Sequence, residues 1–181
     1  SKMAANNNPL DLIDSFSLLS QDGDDLDIDE DYIGYLQESH DIRRRSEKEL
    51  KPLISAINSA LNSGSSASPI GLKALNLLID QSSDEVFEAN GKQWATLVIS
   101  QVGKNIDLCC PLIDSLLKRA PDSAEISKYL ASQTSGIISP IIANLSAESL
   151  RTLVHFLSTY PGSCGGQINP LKKLCIENLR P

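Results

Sequence analysis

Aliphatic residues recur three and four positions apart along most of this chain, and that spacing constrains its fold more than any other feature. Leu50, Leu53, Ile54, Ile57 and Leu61 fall on one face of a helix. Ser46 to Glu49 ahead of them read as a capping box, the serine accepting from the backbone while the glutamate reaches back. Pro69 suits the first turn of a second helix, in which Ile70, Leu72, Leu75, Leu78 and Ile79 cover much of the circumference and predict a central position. Further helices are predicted over 84–102, 106–119, from about 123, behind a Ser146 cap, and over about 169–179. Pro140 breaks the stretch 137–145 into a short separate piece. No segment reads convincingly as a strand. Aromatic residues make up only 4% of the chain, so the core must be aliphatic, which favours helices over sheet.

Helices of this length joined by short turns cannot each bury an apolar face alone, so neighbours must stack. The expected fold is all-α: stacked antiparallel helices in an armadillo/HEAT-like α-solenoid, without a strict sequence period. The expected organisation is a flexible acidic segment over 1–30 and a helical-repeat domain over 31–181, read as the N-terminal part of a longer protein. A short helix is plausible near 9–19. The net charge of −7 is local: seven acids and no base lie between Gln21 and Asp31, and the remaining 16 acids balance 16 bases. The tract lacks the ligand register of a calcium loop and reads as a solvated linker. Only Arg43-Arg44-Arg45 approaches a basic cluster, so direct nucleic-acid binding by this segment is not expected. No apolar run approaches a membrane span, and no signal peptide opens the chain.

The stretch TYPGSCGG, 159–166, is the one place that invites chemistry. A phosphate loop would follow a strand and place its glycines before a lysine and a hydroxyl, and neither condition is met. A catalytic Cys164 would need a histidine, and His155 lies nine residues upstream on the preceding helix. The simpler reading is a corner. Pro161 stops the helix, Gly162 permits the turn, Gly165-Gly166 let the next helix approach closely, and Cys164 fills a buried gap. Glu38, His40 and Asp41 are too irregularly spaced for a metal, and Cys109, Cys110, Cys164 and Cys175 fit neither a zinc spacing nor a disulfide framework. The cysteines therefore read as those of a reducing, intracellular compartment. Trp94 reads as a core anchor. No catalytic, cofactor or metal residue is expected, and the chain does not read as an enzyme.

Two blocks carry a resemblance. SPIGLKALNLLIDQSSDEVFEANGKQWATLVISQVGKN, 68–105, resembles the start of the helical domain of the proline-, glutamate- and leucine-rich protein family, also called the RIX ribosome-assembly family, with Gly71, Leu72, Leu75, Leu78, Phe87 and Trp94 at the matching positions. LRTLVHFLSTYPGSCGGQINPLKKLCIENL, 150–179, is similar to the same family's helix, aromatic-proline-cysteine-glycine corner and following helix, through Tyr160, Pro161, Cys164 and Gly165. These motif residues are expected to be structural. The resemblance implies a non-catalytic scaffold of the nucleus, in nucleolus or nucleoplasm, that serves large-subunit maturation and pre-rRNA spacer processing. It implies as partners a WD-repeat protein and a second helical-repeat subunit, with a AAA+ remodelling ATPase and the pre-ribosome reached indirectly, and a homodimeric core. Some family members also act as coregulators through Leu-x-x-Leu-Leu boxes. The nearest match here is Ile113-Asp-Ser-Leu-Leu117, whose apolar positions read as core. A chromatin or transcription module that binds amphipathic helices is the alternative function.

Overall fold

Capping chemistry sets where each helix begins. The computed structural model describes residues 28–62 and 68–179. The acidic residues before 28, the helix expected near 9–19 and the loop 63–67 lie outside the described residues. Helix α1 is Glu30–Ser39, and Asp29 opens it: its Oδ1 accepts the Tyr32 amide at 2.8 Å. Glu30 and Asp31 fill the first turn, where the helix dipole favours carboxylates. The last three acids of the tract are thus the start of a helix. A short 3-10 turn, Asp41–Arg44, leads into α2, Glu47–Asn62. The capping box forms as expected, with the Glu49 amide donating to Ser46 Oγ at 3.2 Å and the Ser46 amide donating to Glu49 Oε1 at 3.3 Å.

Helix α3 is Ser68–Gln81 and α4 is Asp84–Gln101. Ser83 Oγ accepts the Val86 amide and caps α4. Helix α5, Ile106–Arg119, is followed by a 3-10 turn and by α6, Ala124–Ser132, whose cap is Ser123. The chain then widens into a π-turn, Thr134–Ile138, and tightens into a 3-10 stretch, Ser139–Asn144, that begins where Pro140 withholds its backbone donor. Ser146 caps α7, Ala147–Thr159, and α8 is Ile168–Glu177. No strand occurs among the described residues. The architecture is all-α, helix packed on helix.

The chain divides into two compact units between Phe87 and Glu88, a boundary that falls inside α4. In the first unit α2 and α3 form the principal pair, and α1 also packs on α3. Leu50, Leu53 and Ile57 of α2 and Leu72, Leu75, Leu78 and Ile79 of α3 are almost wholly buried. The pair approaches closely at Gly71: a Cβ built there would lie 3.1 Å from Ala60 Cβ and 3.2 Å from Leu61 Cδ2. In the second unit α7 is central and packs against α5, α6 and α8. A polar tie reinforces that packing, because Asp114 Oδ1 of α5 accepts both the Ser146 amide, at 3.0 Å, and Ser149 Oγ–H, at 2.6 Å, at the start of α7.

Candidate functional site

The Tyr160–Gly166 corner is built by three devices. The Tyr160 amide donates to Phe156 O at 2.8 Å and closes α7. Ser163 folds the chain back, its amide and hydroxyl both donating to Tyr160 O, at 3.1 and 2.7 Å. Gly165 takes a left-handed φ of +58°, the conformation for which glycine carries no side-chain penalty. Gly162 and Gly166 differ from expectation. Neither has a positive φ, and a Cβ at Gly162, Gly165 or Gly166 would meet nothing within 4 Å. The glycine pair therefore does not serve close helix approach. Its one required member, Gly165, serves backbone conformation.

Cys164 fills the space inside the corner. It is buried with Leu157 of α7 and Leu171 of α8, and Ile168 packs against the three. Its thiol donates to Ala131 O at 2.9 Å, turning the sulfur toward the body of the unit. His155 sits exposed on α7. The other thiols are buried as well. Burial, with Cys110 beside it, pushes the Cys109 thiol up to about 12, and burial alone pushes Cys175 up to about 11. The Cys110 thiol is raised by burial and by the nearby Asp114 and Asp107 carboxylates. A thiol held above neutral pH stays protonated, and the thiol form is a poor nucleophile and a poor metal ligand. All four cysteines are free, and no cluster of three metal-ligating side chains occurs among the described residues.

The first motif block is equally interior. Leu72 is fully buried, Phe87 and Trp94 are almost so, and Gly71 makes the contact with α2 described above. Tyr160 is half-buried and Pro161 exposed at the corner. The motif residues divide between the two units: Gly71, Leu72 and Phe87 belong to the first, and Trp94, Tyr160, Pro161, Cys164 and Gly165 to the second. The helical Leu-Leu box is core, with Ile113, Leu116 and Leu117 each 0% exposed.

One polar feature was not foreseen from the sequence. Arg45, the last of the three consecutive arginines, is only 2% exposed. Its Nε donates to Asp41 Oδ2 at 2.6 Å and its Nη1 to Glu49 Oε2 at 2.7 Å. The Glu49 carboxyl is held below the usual carboxylate range, first by the Ser46 amide it accepts and then by the Arg45 and Ser46 side chains. Arg43, Arg44 and Arg45 line a cavity of about 350 Å³ in the first unit, together with the caps of α2 and α4. The signal available in the sequence was Asp41 and Glu49 flanking Arg45 four residues to either side.

The comparison that decides affiliation covers nearly the whole chain. The RIX1 family profile, described as rRNA processing/ribosome biogenesis, matches residues 18–181. The chain belongs to the RIX1 family. No curated protein and no solved structure matches it. The RIX1 match takes in both motif blocks and every described element, and it places the chain in rRNA processing and ribosome biogenesis. Among the described residues no helix is long and apolar enough to cross a membrane.

Proposed function

We propose that this RIX1 chain is a non-catalytic scaffold of large ribosomal subunit maturation, acting in the nucleus and nucleolus on pre-rRNA spacer processing. The observation that carries the reading is the family match over 18–181, on a chain whose described residues are helices packed on one another. Support for a non-catalytic role comes from the chemistry of the corner. Its thiol is buried and hydrogen-bonded to a backbone carbonyl, and the neighbouring helix presents its histidine to solvent.

The partners we assign to it are a WD-repeat protein, a second helical-repeat subunit and a second copy of this chain, with a AAA+ remodelling ATPase and the pre-ribosome reached through them. A stable complex of this kind requires an interface of about 1,600 Å². The test is affinity purification of the tagged chain followed by mass spectrometry. The reading expects a WD-repeat protein and large-subunit precursor proteins in stoichiometric recovery. A preparation containing neither sinks it. A coregulator role through amphipathic helices gains no support from the Leu-Leu box, which is core.

A further inference from the structure

We propose that the arginine-lined cavity of the first unit binds a single phosphate dianion carried on a peptide, that is, a phosphorylated serine or threonine side chain. The cavity, about 350 Å³, is bounded by the Arg43-Arg44-Arg45 turn on one side and by the Ser83–Val86 start of α4 on the other. That volume lies at the small end of the range for ligand sites, room for the phosphate-bearing end of one side chain and little more.

The donor inventory selects the ligand. The Arg44 side chain makes no hydrogen bond or ion pair with the described residues, and the Arg43 side chain only a long 3.4 Å contact from Nη2 to Asp80 O. Arg45 is held in place by two carboxylates, and its Nη2 is buried without a partner. Ser83 Oγ accepts the Val86 amide, which leaves its proton to donate. The first turns of α2 and α4 both open on this cavity and bring the positive ends of two helices, of 16 and 18 residues, to it. Uncommitted donors converge here, while the Glu49 acceptor is already engaged by Arg45 and Ser46. A group that only accepts is what fits, and guanidinium forks match a phosphate.

The carboxylates of the cavity decide between phosphate sources. Glu47 and Glu85 are exposed on its lining. They stand against a polyanion, whose successive phosphates must run past them. One dianion reaches the arginines and leaves the glutamates at the edge. A phosphopeptide is therefore favoured over RNA.

The test is amide NMR titration of the 181-residue chain with O-phospho-L-serine, with L-serine, and with a short single-stranded RNA. Saturable shifts confined to 43–46 and 83–86, given by O-phosphoserine and not by serine, are expected. Arg43→Ala/Arg44→Ala removes two exposed side chains, so its thermal midpoint should stay near that of the parent while its affinity falls about tenfold or more, the worth of one charge-assisted hydrogen bond. Three results overturn the proposal: no saturable shift, shifts scattered over the surface that survive the double substitution, or RNA moving the same amides at lower concentration.

Discussion

Gly71→Ala should destabilise this protein, although the same change in an ordinary helix interior stabilises. Alanine in a helix is favoured over glycine by about 1 kcal/mol. Against that gain stands geometry: the new Cβ would lie 3.1 Å from Ala60 Cβ and 3.2 Å from Leu61 Cδ2. Leu61 can rotate a terminal methyl away. Ala60 cannot, because its Cβ is fixed to the α2 backbone, so the helices themselves must separate by a few tenths of an ångström. Overpacking of this kind costs about 1–3 kcal/mol. The net expectation is a loss of about 1 kcal/mol, or a midpoint lower by roughly 2–4 °C for a chain of this size. Ala60→Gly alone should lose about 1 kcal/mol of helix propensity. The double variant relieves the clash and should return near the parent, giving a coupling energy of about 2 kcal/mol in the cycle. Urea and thermal unfolding followed by circular dichroism measure all four corners. A Gly71→Ala protein stabilised by about 1 kcal/mol, with additivity in the cycle, would refute the close-approach reasoning.

Three further outcomes are expected. His40 caps α1 with a left-handed φ of 53°, so His40→Gly should raise stability by about 0.5–1 kcal/mol in the same unfolding assay. Because the Glu49 carboxyl is depressed in the folded state, its contribution is complete above the ordinary glutamate range and is lost as pH falls through its folded value. The stability gap between the parent and Glu49→Gln should therefore be constant near neutrality and close below about pH 4, which acid titration of both proteins will show. Cys109 and Cys175, raised to about 12 and about 11, should resist iodoacetamide at pH 8 until denaturant is added, with peptide mapping as the readout.

The helices were readable because caps and periodicity are local. Ser46–Glu49, Ser123 and Ser146 mark helix starts through atoms three residues away, and α5 begins and ends where its pattern does. The tract's last acids were harder to place: Asp29 looks like one more linker aspartate until Tyr32 donates to it. Arg45 reads as surface charge within a basic triplet. It is buried because the 3-10 turn ends there in an extended conformation that brings its side chain between Asp41 and Glu49. The glycines divide the same way. Gly71 gave no local sign of its contact with Ala60, which lies on another helix, while Gly165-Gly166 suggested a close approach that the open space around them contradicts. Sequence pattern reports what a residue does to its own turn, not what stands opposite it.

The most direct test of the ribosome-biogenesis assignment is depletion of the protein in its own cells, with pre-rRNA followed by hybridisation to internal-spacer probes and rescue by the intact chain. The account predicts accumulation of spacer-containing large-subunit precursors and a deficit of mature large-subunit rRNA, both reversed on rescue. An unaltered precursor pattern under full depletion would contradict it.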